Sequence, residues 1–351
     1  MYKIDVKSYR STYTVEFMED VSGLTPVFSD NNFILIDSRV KALYPLITKY
    51  LRQDRIFVVE ATEENKTLEY CQQIISELIT RGIKRNYKLV AIGGGITQDI
   101  TGFISSILYR GIEWDFIPTT LLAQADSCIG SKTSINFSNV KNLLGTFHPP
   151  SKIYCCSEFL STLSKEEIKS GIGEILHYYC VDGNEKAFAM MRDYDEILED
   201  TSLIAEHVYE SLRIKKRMIE HDEFDQHERR VFNYGHTFGH AIEGLSGYSV
   251  PHGQAVTIGM DMANFISLSL GYIDNKEYAT FRDLLQKNMP SYSLRKEQLN
   301  RYMSLLGKDK KNVDKSIVCI LPHSYGDIRV EKIEDKGQLG KIIESYIERT
   351  M

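Results

Sequence analysis

Three histidines fall between positions 236 and 252, in the stretch NYGHTFGHAIEGLSGYSVPHGQAV that spans residues 233–256. An imidazole can ligate a metal, move a proton or simply pack, so spacing has to sort the three. His236 and His240 stand four apart and share one face of a helix. The zinc-protease pattern HExxH uses such a pair but needs glutamate directly after the first histidine, and Thr237 stands there. The pattern therefore argues against a hydrolytic zincin, and the role of the histidines depends on what the rest of the chain supplies.

A second group surrounds KLVAIGGGITQDITGF, where an apolar strand runs through Gly93, Gly94 and Gly95 into a helix carrying Asp99. Glycines at such a junction let backbone N–H groups and a helix N-terminus approach a pyrophosphate closely. The dinucleotide fingerprint is incomplete, because Gln98 occupies the place of its third glycine, so the turn alone reads equally well as a plain tight turn. Other groups add to the nucleotide reading. Asp37 closes a preceding strand where a ribose hydroxyl could be read, Glu63 and Lys66 follow the next one, and PTTLLAQADSCIGSKTSINF supplies Thr119 and Thr120 ahead of Asp126, Ser127 and Lys132.

The elements that must position these groups follow from length and pattern. A chain of 351 residues exceeds what one core usually supports and predicts two domains. Apolar residues at 42% and charged residues at 26% fit a soluble globular protein. A net charge of −6 without any basic run excludes a nucleic-acid partner. The six cysteines form no CxxC pair and no disulfide spacing, as in a reducing compartment. No signal-like apolar core opens the chain and no run of about 18 apolar residues occurs, so a cytoplasmic protein with no membrane partner is expected.

Apolar runs at 32–37, 55–61, 88–95 and 114–120 read as buried strands, with helical stretches at 40–52 and 66–82 between them. That alternation predicts a parallel sheet with helices on its faces over residues 1–163. Segments 164–181, 203–221 and 253–271 carry helical periodicity, and 316–333 reads as a small hairpin, so residues 164–351 are expected to be mainly α-helical. With no linker between the halves, a cleft at their junction is the expected place for a ligand.

The ordered series GGGITQD, YRGIEWDFIPTTLLAQADS, GSKTSIN, KNLLGTF, SGIGEIL, NYGHTFGHAIE, PHGQAV and DKK resembles the dehydroquinate synthase family of sugar-phosphate cyclases over roughly residues 30–330. The resemblance implies an N-terminal Rossmann-like domain that binds NAD, a mainly helical domain that binds a divalent metal, Zn²⁺ or Co²⁺, and a homodimer. Its metal ligands fall on Glu174, His236 and His252. NAD contacts fall on Glu63, Lys66, Gly94, Gly95, Ile96, Asp99, Thr119, Thr120, Lys132, Lys141 and Thr162, beside Asp37, Asp126 and Ser127. Substrate positions fall on Asp126, Lys132, Asn142, Lys215, Arg229, Asn233, His240 and Lys310, and Arg110 corresponds to a residue reaching the phosphate from the neighbouring subunit. For any single Lys or Arg a solvated charge is the plainer reading, but it fits poorly for all of them on motif positions.

The implied reaction oxidises a secondary alcohol of a sugar phosphate, loses phosphate, reduces the ketone again and closes a carbocycle without net redox change. The expected substrate is the seven-carbon keto acid phosphate of the shikimate pathway (DAHP), since Lys215 and Arg229 suit a carboxylate. Alternatives are a cyclase forming an aminocyclitol or valiolone precursor and a metal-dependent polyol dehydrogenase. Departures from the family pattern are His177 where a lysine is usual, Gln254 where glutamate is usual, and Gln98 and Ser131 at glycine positions. His177 shares a helical face with Glu174, where it could touch substrate, add a metal ligand or mark a shifted substrate.

Overall fold

The structure is a computed structural model and describes residues 2–49, 51–138, 140–225, 228–307, 316–324 and 326–350. Contacts divide the chain into two units, Met1–Ser164 with Thr201–Glu223, and Lys165–Asp200 with Phe224–Met351.

The first unit is built on strands β1 (Lys3–Val6), β2 (Tyr13–Met18), β3 (Asn32–Asp37), β4 (Ile56–Val59), β5 (Lys88–Gly93), β6 (Trp114–Pro118), β7 (Lys132–Phe137), β8 (Val140–Phe147) and β9 (Lys152–Cys156). Seven of them form one sheet in the order β1-β2-β9-β6-β5-β3-β4. Only the β1–β2 pairing is antiparallel. β3 and β5 are apolar along nearly their whole length because helices cover both faces of a parallel sheet. One core cluster joins Ile34, Ile36, Val90, Ile92 and Ile117 to Leu24, Tyr44 and Phe159.

Two local outcomes differ from the pattern-based expectation. The stretch 40–52 is two short helices, Ser38–Leu43 and Pro45–Lys49, because the ring of Pro45 disfavours helical geometry at Tyr44, which turns to φ −123° and ψ 63°. β7 and β8 form an antiparallel hairpin where motifs alone were visible; β8 is exposed or half-buried along its whole length and so carries no apolar alternation.

Helix Ile204–His221 packs with the first unit, so the expected division into 1–163 and 164–351 is crossed by this helix. It buries Ile204, Val208, Leu212, Lys215 and Ile219, one stripe at helical spacing. Ser211 Oγ donates to the Ala125 carbonyl at 2.9 Å, fastening the stripe to the turn Ala123–Ser127.

The second unit contains helices Lys165–Asp182, His236–Leu245 and His252–Ser269, five further helices and a hairpin of β10 (Ile317–Ser324) and β11 (Asp327–Ile333) among the described residues. His252–Ser269 is buried on every side from Gly253 to Ser267, which makes it the core element of this unit. Among the described residues no helix is long and apolar enough to cross a membrane.

Candidate active site

In the first unit, parallel pairing puts the ends of β3, β4, β5 and β6 at one edge of the sheet. Asp37, the Glu63 turn, the Gly93–Gly95 turn and Thr119–Thr120 follow those ends, the edge at which open α/β sheets bind ligands. Helix Gly95–Ile107 starts from Gly94 with no side-chain cap, so its first N–H groups are left to a ligand or solvent. A Cβ on Gly93 would stand 2.4 Å from Thr97 Oγ1, whereas one on Gly95 would meet only Ser127 Oγ at 3.8 Å. The first glycine serves close strand–helix packing, and the second leaves space against the backbone for a bound group.

Gln98 is buried and has a role of its own. Its Nε2 donates to the Ser127 carbonyl and its Oε1 accepts from Ser127 Oγ, both at 2.6 Å. The side chain that spoils the glycine pattern thus ties the 123–127 turn to the helix.

Lys66 is buried, with Nζ 2.6 Å from Asp99 Oδ2 and 2.6 Å from Asn142 Oδ1. Asp99 also accepts from Ser134 N at 2.9 Å and Ser134 Oγ at 3.2 Å. Burial raises the Asp99 carboxyl above the usual range, and Lys66 pulls it back. Asn136 donates to Glu63 Oε1 at 2.8 Å and accepts from Asn142 N at 2.9 Å, while Lys141 Nζ lies 3.6 Å from Glu63 Oε1. Glu63, Lys66, Asp99, Lys141 and Asn142 therefore form one network. Ser134 and Asn136, which sequence reasoning missed, hold it together; their signal was only their alternation on one face of the SIN segment.

The remaining positions in this unit are more dispersed. Asp37 caps the next helix by accepting from Arg39 N at 2.8 Å. Thr120 Oγ1 accepts from Ala123 N, and Thr162 bonds Tyr44 Oη at 3.0 Å. Ile96 lies in the first turn of the glycine helix, and Lys132 is exposed at the start of β7. Lys215 Nζ donates to Asp126 Oδ1 at 2.8 Å and to the Asp126 carbonyl at 2.6 Å, a largely buried pair. Arg110 is exposed, in a turn whose residues Tyr109, Arg110 and Gly111 have φ of 51°, 67° and 114°.

In the second unit three helices bring Glu174, His236 and His252 together, and glycine lets them do so. A Cβ on Gly173 would fall 2.1 Å from the Gly253 carbonyl, one on Gly253 1.8 Å from that of Ser170, and one on Gly259 2.0 Å from that of Gly235. Backbones meeting this closely explain why the motif histidines and the glutamate are flanked by glycines.

Glu174 is buried, with Oε1 3.0 Å from His252 Nε2 and 3.4 Å from His236 Nε2. The three donor atoms lie within 4.8 Å of one another. Oε1 nevertheless has no hydrogen-bond partner among the described residues. Three lone-pair atoms crowded together without bonding one another are what a cation between them would explain. One carboxylate and two imidazoles could hold Zn²⁺ or Co²⁺. Burial would raise the Glu174 carboxyl, but His236 and His252 outweigh it and hold the group well below the ordinary range. His252 lies well above its usual range: burial works against the charge, and Glu174 and Glu243 overcome it.

Each ligand histidine has its other nitrogen at an oxygen, His236 Nδ1 3.2 Å from the Tyr234 carbonyl and His252 Nδ1 3.1 Å from Glu243 Oε2. Glu243 is another residue that sequence reasoning missed, although it closes the HTFGHAIE motif. His177 is buried with Nδ1 3.7 Å from Glu174 Oε2, and its ring meets His236 edge-on at 4.9 Å. It belongs to neither cluster of metal-ligand type among the described residues. His240 is exposed, its ring 5.5 Å from that of His236 and 5.7 Å from that of His252. Asn233 donates to the Arg230 carbonyl at 3.1 Å, and Arg229 sits half-buried in the same short helical turn. Gln254 is buried with its Nε2 directed to the Asn288 carbonyl at 3.5 Å. Lys310 and His227 lie outside the described residues.

Known proteins resemble this chain in fold and in sequence. The solved structure of 2-deoxy-scyllo-inosose synthase complexed with carbaglucose-6-phosphate, NAD⁺ and Co²⁺ superposes with a TM-score of 0.85 at 21% identity, covering 99% of this chain and 100% of that one. That of 2-epi-5-epi-valiolone synthase from Streptomyces hygroscopicus subsp. jinggangensis 5008 with NAD⁺ and Zn²⁺ bound gives 0.84 at 24% identity, covering 96% and 97%. At these identities the likeness shows a common fold. In sequence, the 3-dehydroquinate synthase of Helicobacter pylori (strain P12) is 37% identical over 318 residues, 89% of this chain and 91% of that protein. Family profiles for the 3-dehydroquinate synthase N-terminal and C-terminal regions match residues 56–170 and 171–312, and the chain belongs to the 3-dehydroquinate synthase family.

Proposed function

We propose that this chain is a 3-dehydroquinate synthase, which uses NAD and a divalent metal to convert DAHP to 3-dehydroquinate with loss of phosphate. The observation that carries the reading is the cluster of His236 and His252 around the buried carboxylate of Glu174, in a chain that matches the family from residue 56 to 312. Residues of the glycine-turn edge would hold NAD, which would supply reversible hydride chemistry at a substrate alcohol, and Glu174, His236 and His252 would hold a metal, which would supply Lewis acidity toward that alcohol's oxygen.

The chain's own residues do the positioning. Lys66 and Asp99, cross-linked through Asn142, Ser134 and Asn136, fix the edge along which the nucleotide lies. Lys215, held by Asp126, and Arg229 supply cations for the substrate carboxylate. His240 and Asn233 orient substrate oxygens, and His177 stands behind the far oxygen of Glu174, where a family lysine would keep a fixed charge. With DAHP, purified protein is expected to release one phosphate per 3-dehydroquinate while NADH fails to accumulate. Arg229→Ala is expected to lose about 10- to 100-fold in kcat/KM, since a charge-assisted contact contributes about 1.5–3 kcal/mol. NADH formed in step with product would move the chain to the polyol dehydrogenase class. Equal turnover of a carboxylate-free sugar phosphate would move it to the aminocyclitol or valiolone branch.

The same reading includes a homodimer in which Arg110 serves the neighbouring site. Two observations support it. Phe137, Val140, Leu143 and Phe147 on the β7–β8 hairpin are all exposed, an apolar surface that a second copy would cover. Tyr109 and Arg110 are both in left-handed backbone, a strain of roughly 1–3 kcal/mol each that is tolerated where geometry serves a site. Arg110→Ala and Glu174→Ala homodimers should each be nearly inactive. Their co-expressed mixture should recover about a quarter of wild-type activity, because half the dimers are mixed and each of those has one intact site. No recovery in verified heterodimers would mean that Arg110 acts within its own subunit.

A further inference from the structure

His252 lies between two carboxylates, with Nε2 3.0 Å from Glu174 Oε1 and Nδ1 3.1 Å from Glu243 Oε2. To ligate a metal the imidazole must be neutral, with one N–H and one lone pair, so it then donates to one side only. We propose that Glu243 is the positioning residue of His252, holding the proton on Nδ1 so that the Nε2 lone pair faces Glu174 and His236. The inference rests on the metal reading above and adds to it the residue that selects the tautomer and the ring angle.

Three features carry it. His252 is the first residue of its helix, and its side chain remains 30% exposed, so packing alone does not fix the ring. Glu243 lies seven residues after His236, two turns along the same helix, so one rigid element carries both a ligand and the group that orients the next ligand. Gln254, two residues along the histidine's own helix, is an uncharged amide directed to the Asn288 carbonyl, while the carboxylates of Glu174 and Glu243 lie 3.0 and 3.1 Å from the His252 ring nitrogens.

A second grouping, His240 with Glu243 and His252, also has the composition of a metal site. It would require Glu243 as a ligand. His240 is exposed there, whereas Glu174 is a buried carboxylate with an unbonded oxygen, the stronger demand for a cation. Glu243 already has its partner in His252 Nδ1. The geometry therefore assigns Glu243 to the ring and leaves the ion to Glu174, His236 and His252.

The test measures metal binding without substrate. Wild type, E243Q and E243A are stripped of metal, checked for folding by circular dichroism, and titrated with Zn²⁺ against a chromogenic chelator. E243A is expected to bind about 10- to 100-fold more weakly and E243Q to fall between, as loss of an outer partner of a metal histidine typically does. Each should still take one ion per subunit, and saturating Co²⁺ should give the same visible bands in all three because the ligand set is unchanged. If E243A is misfolded, the folded E243Q decides by its affinity. Equal affinities, or two ions in wild type and one in the variants, would overturn the assignment. Failure of the wild type to bind either ion would instead overturn the metal reading on which the assignment stands.

Discussion

Replacing Glu174 with glutamine is expected to lower turnover of DAHP by about 10³-fold or more, because a Lewis-acid metal contributes several kcal/mol of charge stabilisation in the transition state. Glutamine keeps the shape of the side chain, so the helix Lys165–Asp182 and its close crossing at Gly173 and Gly253 remain possible. What is lost is the charge. A neutral amide oxygen between His236 and His252 is a poor third ligand for a divalent ion, and the amide N–H would compete for the same space. Elemental analysis of the purified variant should find far less than one ion per subunit, and added Zn²⁺ should restore little activity. A variant that retains one ion and more than about a tenth of the wild-type rate would remove Glu174 from the ligand set.

Replacing Asp99 with alanine is expected to be the most damaging change in the first unit. Lys66 would keep its amide partner Asn142 but lose its counter-charge 2.6 Å away, with its side chain only 7% exposed. Breaking a buried pair from one side typically costs about 3–5 kcal/mol, far more than the pair itself adds to stability. Ser134 would lose the acceptor of its N–H and keep only Asn142 Oδ1, at 3.0 Å, for its hydroxyl, so the β7–β8 hairpin would loosen as well. A fall in melting temperature of roughly 10 °C is expected, with a large loss of NAD affinity measured by calorimetry. Replacing both partners, Lys66→Met with Asp99→Leu, should destabilise by less than Asp99→Ala alone while NAD binding stays poor. Equal melting temperatures for wild type and Asp99→Ala would mean that solvent, and not Asp99, satisfies Lys66.

Part of this was legible in residue order. The apolar runs of β3, β5 and β6 lie wholly between helix-covered faces, so composition announced them, and the glycine turn after β5 announced a backbone approach. The stripe of helix Ile204–His221 was equally plain from its period, whereas Lys165–Asp182 is buried continuously from Ser170 to Cys180. Glu174, His236 and His252 were named through motif order and not through spacing, because residues 174 and 236 have no local relation. Ser134, Asn136 and Glu243 escaped because each does its work through hydrogen bonds to residues on other elements, and a lone Ser, Asn or Glu has no pattern of its own.

The chain's order of apolar and polar residues by itself determined element type, since a period near two or near 3.6 is a local property of the backbone. Tertiary structure alone decided which helix joined which unit. The burial of Lys215 beside Asp126 and the seating of Ser211 on Ala125 place helix Ile204–His221 with the sheet, though the chain enters the helical unit well before it. It also decided that His252 stands between Glu174 and Glu243, because three helices cross at glycine contacts of their backbones. Such contacts depend on complementary surfaces far apart in the chain, and complementarity has no period to read.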